Sequence, residues 1–191
     1  MGPGAARLRG VALNRIVELQ PVRSFAPEAL ASLDAASRAA LRAVDPELAE
    51  LARRRVATLL GAERDVDRPD RTPSERACLE LIDRFVVHVP TVAAEQRDAV
   101  AAHLGARGLR ELVQALYVFD ATQRLRLALG RLFEAGGGAR GPAASPAFAA
   151  TASLDSAIDD LHAAVVRLTS LDVVTTELVR IRCARYHDCK T

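Results

Sequence analysis

The sequence predicts an all-α protein, a helical bundle, on three observations. Half the residues are apolar, yet only 4% are aromatic and tryptophan is absent. A core built from Ala, Leu and Val packs helices through small and branched aliphatic side chains. Apolar residues recur at three- and four-residue intervals, and no stretch sustains the alternation of a strand. Prolines and capping residues stand just ahead of these rhythmic stretches, where helices begin.

The first such stretch, PEALASLDAASRAALRAVDPELAELARRRVATLLGAERD, spaces Leu30, Leu33, Leu41, Val44, Leu48, Leu51 and Leu59 with helical rhythm. Pro27 and Pro46 suit the first turns of two helices, because proline at N1 forfeits no intrahelical hydrogen bond. Next comes RPDRTPSERACLELIDRFVVHVPT. Thr72 as N-cap, Pro73 at N1 and Glu75 at N3 form a capping-box pattern; Ala77, Leu81, Ile82 and Phe85 share a face, and Pro90 ends the run. Thr91 is then expected to cap the following helix and Gly105 to stop it. A long helix from about Leu109 to Phe133 follows, burying Leu112, Leu116, Phe119, Leu125 and Leu129.

Residues 134–153, EAGGGARGPAASPAFAATAS, read as a flexible linker of glycine, proline and small side chains. The chain therefore divides into a helical module over 1–133, this linker, and the start of a second module over 154–191. The second part offers one amphipathic helix and the beginning of another, with Thr175 or Thr176 near its cap. Its 38 residues cannot enclose a core, so truncation or assembly is implied, and the tail must pack on the first unit or on another subunit.

Composition narrows the function. With 26 basic and 24 acidic residues, the formal charge of +2 provides no field to hold nucleic acid or an anionic membrane. The expectation is no nucleic-acid and no membrane partner, and the absence of a clear recognition helix disfavours a DNA-binding regulator. No secretory h-region follows the first residues and no run is long enough to span a bilayer, so a cytoplasmic location is expected. Three cysteines fit a reducing compartment, where such residues are more often catalytic than structural. GGG at 136–138 lacks the Lys-Ser/Thr of a phosphate loop, no GxSxG elbow occurs, and His88 and His103 lack metal-ligand spacing. No metal or cofactor is expected.

Two segments resemble one another. ELARRRVATLLGA from Glu50 and ELVRIRCARYHDC from Glu177 share Glu-Leu, Arg at positions four and six and Ala at position eight, at an offset of 127 residues. Cys183 then falls opposite Val56, and Cys189 opposite Ala62. Tandem duplication and chance likeness of Ala/Leu/Arg-rich helices both account for the match.

The candidate chemistry lies in the second segment. A thiol attacks as its thiolate, which a cation or a base nearby favours; Arg185, His187 and Lys190 surround Cys189. Glu177 is a candidate proton acceptor through water. On an unbroken helix the twelve residues between Glu177 and Cys189 rise about 18 Å, so contact requires the helix to end or bend. Cys183, some 240° around from Cys189, is expected in the core, and Cys78 on an apolar face is structural.

Glu-Leu-Val-Arg, Arg-Cys-Ala-Arg and a cysteine twelve residues after the glutamate resemble the active-site region of the carboxymuconolactone decarboxylase and alkylhydroperoxidase D-like family. The helical stretch from Pro73 to Leu132 resembles the half-domain that follows that motif. The resemblance implies an all-helical, oligomeric protein, often duplicated, whose peroxidase branch reduces hydroperoxides with a CxxC pair and is re-reduced by a dithiol donor. Glu177 would be the proton-relay glutamate and Cys189 the first cysteine of the pair. The second would fall one position past Thr191, and His187 precedes the cysteine where the family histidine follows it. A sulfenic acid on Cys189 would then turn to Cys183, Cys78 or another molecule for resolution. Two rivals stand beside the peroxidase: a carboxymuconolactone decarboxylase-type enzyme, which needs no cysteine pair, and a non-catalytic helical subunit for oligomerisation or partner binding.

Overall fold

The computed structural model describes residues 26–63, 71–133, 153–169 and 172–186. Among them the chain is all-α, with six helices and no strand: α1 Pro27–Ala43, α2 Pro46–Leu59, α3 Pro73–His88, α4 Ala94–Phe133, α5 Leu154–Val166 and α6 Val173–Tyr186. The linker predicted over 134–153 lies outside the described residues apart from Ser153.

Local chemistry accounts for most helix starts. Pro27, Pro46 and Pro73 each stand in the first turn of a helix. The Asp45 side chain accepts hydrogen bonds from the Glu47 and Leu48 amides at 3.0 and 3.2 Å, satisfying two donors that have no partner within the helix. The predicted capping box is present: Thr72 Oγ1 accepts from the Glu75 amide at 3.2 Å, and Glu75 accepts from the Thr72 amide at 2.7 Å.

Elsewhere the punctuation differs from expectation. Thr91 does not cap α4; Val89–Thr91 forms a 3₁₀ turn in which its hydroxyl donates to the His88 carbonyl at 2.7 Å, and the next helix starts at Ala94. Gly105 interrupts α4 as a kink with φ 73° and ψ 167°, a region essentially reserved for glycine, and the helix resumes at once rather than near Leu109.

The core forms where α1, α2, α3, α4 and α5 converge. Ala36 and Ala40 of α1 and Ala52 of α2 are fully buried, and their small side chains let the helices approach closely. Larger side chains fill the centre: Val56, Leu81, Ile82, Val100, Leu112 and Leu116 are all under 2% exposed. Leu41, part of the helical rhythm of α1, is 36% exposed, and Leu125 and Leu129, expected to be buried, are only half-buried.

The predicted tail divides between two fates. α5 joins the core through Leu154, Ala157 and Leu161. It runs antiparallel to α1, since Arg167 beyond its C-terminus pairs with Glu28 in the first turn of α1. It runs parallel to α4, where Asp155 meets Arg110 and Gln114, and His162 meets Tyr117. No described helix packs along α6, whose Val173, Val174, Leu178, Val179 and Ile181 are exposed.

The 127-residue offset holds at the level of elements. It carries Pro27 onto Leu154 and Pro46 onto Val173, so the first residues of α1 and α2 fall on those of α5 and α6; Leu59, the last residue of α2, falls on Tyr186, the last of α6.

Candidate functional site

The candidate site is α6 and the residues beyond it. Val173, Val174, Thr175 and Thr176 open the helix with four β-branched side chains, a poor start because each loses χ1 freedom. Asp172 compensates. Its Oδ1 accepts from the Thr175 amide at 2.9 Å and its Oδ2 accepts from the Thr175 hydroxyl at 2.6 Å. The Thr175 hydroxyl and amide hold the Asp172 carboxyl below the usual carboxylate range. The cap is therefore Asp172, with Thr175 near it as expected, and it repeats Asp45 of α2 at the same offset.

Glu177 lies one turn further on, half-buried. Its Oε2 accepts from Arg180 Nε at 3.0 Å and meets Arg180 Nη2 at 2.8 Å. Its equivalent, Glu50, binds Arg53 in the same i,i+3 manner, with two bonds of 2.8 Å. Sequence reading passed over Arg180 as the partner of Glu177, although the spacing in Glu-Leu-Val-Arg already offered it. Cys189 and His187 lie outside the described residues, so the predicted Glu177–Cys189 relation has no geometry here.

Cys183 is exposed, contrary to the expectation of a core position. Val56, its equivalent, is fully buried because α3 and α4 cover that face of α2; α6 carries the same pattern without the cover. Cys78 is buried as expected. Burial, with a smaller contribution from Glu75, pushes its thiol up to about 11 despite a hydrogen bond with Ser74, so it is no ready thiolate.

His88 and His103 are exposed. His162 meets Tyr117: its Nε2 lies 3.0 Å from the hydroxyl and the rings stack edge-on at 5.7 Å. Of the Arg53–Arg55 run, Arg55 leaves the solvated face to form a forked pair with Asp83 of α3, at 2.6 and 2.8 Å. An open depression between Glu80, Arg84, His88 and Thr91 bears no thiol. Among the described residues no cluster of His, Cys, Asp and Glu could hold a metal ion, and no helix is long and apolar enough to cross a membrane.

No family model matches the chain, and no solved structure matches it. It is similar to two uncharacterized proteins of Mycobacterium tuberculosis, one from strain CDC 1551 / Oshkosh and one from strain ATCC 25618 / H37Rv. Each is 34% identical over 135 residues, which is 69% of this chain and 46% of the relative. The chain thus spans less than half the length of the curated relatives it matches.

Proposed function

We propose that the chain belongs to a thiol-dependent peroxide-reducing protein of the alkylhydroperoxidase D-like kind, with Cys189 as the attacking thiol and Glu177 as proton relay. One observation carries this reading. The Glu-Leu-x-Arg-x-Arg helix occurs twice in register, and of the two copies only the second sets a cysteine twelve residues after its glutamate, where the first has Ala62. In this reading α1–α4 serve as a scaffold, and the second copy supplies the chemistry.

The Cys189 thiolate attacks the terminal oxygen of an alkyl hydroperoxide. A sulfur–oxygen bond forms, the oxygen–oxygen bond breaks, and the departing alkoxide takes a proton delivered by way of Glu177 and leaves as the alcohol. A dithiol donor then attacks the sulfenic acid, releasing water and forming a mixed disulfide. Its second thiol displaces Cys189, which returns as a thiol while the donor leaves as its own disulfide.

The test is thiol loss at Cys189 on addition of cumene hydroperoxide, followed by mass spectrometry. Rapid loss of one equivalent is expected; Cys189→Ser abolishes it and Glu177→Gln slows it by about a hundredfold. A Cys189 no more reactive than free cysteine would sink the peroxidase. It would favour a non-catalytic partner-binding subunit, the second reading, which the uncovered apolar side of α6 supports.

A further inference from the structure

We infer that the uncovered face of α6 is a docking surface for a helical hairpin built like α3–α4 and supplied by a partner polypeptide. The inference rests on the register of the two copies and is independent of any redox role for Cys189.

α2 and α6 share three local features. Both are 14-residue helices, both are capped by an aspartate just ahead of the first turn, and both carry a Glu–Arg pair three residues apart. They differ in what covers them. On α2, Ala52 and Val56 are fully buried against the bundle. At the equivalent positions of α6, Val179 is 54% exposed and Cys183 is exposed; Leu178, equivalent to half-buried Leu51, is 61% exposed. A short helix owes most of its stability to packing of its apolar face, and one that begins with four β-branched residues has little of its own.

The polar contacts indicate which kind of cover fits. Arg55 of α2 is fixed by its fork to Asp83 of α3. The offset carries Arg55 onto Arg182, which is exposed and has no ion pair among the described residues. The occupant therefore presents an aliphatic stripe like that of Cys78, Leu81 and Ile82, with a carboxylate where α3 has Asp83. The relatives have 46% of their length within the match, so each carries further polypeptide outside it.

The offset also specifies the test, because residue 64 corresponds to residue 191. A copy of residues 65–133 is appended directly after Thr191, and iodoacetamide labelling of each cysteine is followed by mass spectrometry in the original and extended chains. Cys183 should label at least ~10-fold more slowly in the extended chain, as protection through local opening predicts, while Cys78 stays protected in both. Arg182→Glu should restore labelling, and Asp→Arg at the position of Asp83 in the appended copy should reverse that effect. As a second measurement, a peptide of residues 71–91 added to the original chain should slow Cys183 labelling saturably, and its Asp83→Arg form should not. Unchanged Cys183 labelling in both experiments overturns the inference. So does protection that rises with the concentration of the original chain alongside a dimer's sedimentation mass, which would make the occupant a second copy.

Discussion

Cys78 and Cys183 show how much a residue's chemistry depends on its surroundings. Both stand on a helix, yet one is buried and the other exposed. A thiol whose value rises from 9.0 to about 11 on folding keeps its proton in the native state while the unfolded chain releases one. Its stabilising contribution is complete below pH 9.0 and is lost as pH rises through about 11. We predict a fall in the urea midpoint across that interval that Cys78→Ala removes; identical pH profiles for the two proteins would refute it. Glu177 and Cys189 were read as candidates in the sequence, and Cys183 as a core residue. The pairing of Glu177 with Arg180 was offered by their spacing but passed over, whereas the exposure of Cys183 depends on which neighbours the fold withholds.

At the scale of elements, helix starts were the most legible feature. Proline at N1 and the Thr72–Glu75 box act within four residues, so spacing alone identifies them. Misplaced boundaries arose where two local solutions compete. Thr91 can cap a helix or close a 3₁₀ turn, and Pro90 selects the turn by preventing continuation of α3. Gly105 was recognised as a break, but its conformation joins two helical segments without a loop. Alanine there finds no steric obstacle, yet it cannot readily adopt φ 73°. Gly105→Ala should therefore destabilise the protein by about 1–3 kcal/mol, measured by chemical denaturation, with no loss of helix content at native conditions. An unchanged midpoint would mean that the kink relaxes freely.

For the whole molecule, the decisive fact is the unequal treatment of the two tail helices. α5 buries Leu161 in the common core, whereas α6 leaves Leu178 in solvent. Leu161→Ala should cost about 2–5 kcal/mol, and Leu178→Ala should stay within about 0.5 kcal/mol in this chain. Equal effects in urea unfolding would contradict the distinction. Fold class and most helix starts followed from sequence, because helical rhythm, caps and small apolar residues act over a few positions; about Gly105 the sequence reads two helices where the structure has one kinked helix. Packing settled what lies beyond that range: α5 belongs with α1 and α4, Arg55 reaches across to Asp83, and the face carrying Cys183 is left uncovered. The physical reason is that α2 and α6 share a local code of aspartate cap and Glu–Arg pair yet differ in burial. Burial depends on whether another helix arrives to cover that code, a relation between distant segments that no window of sequence contains.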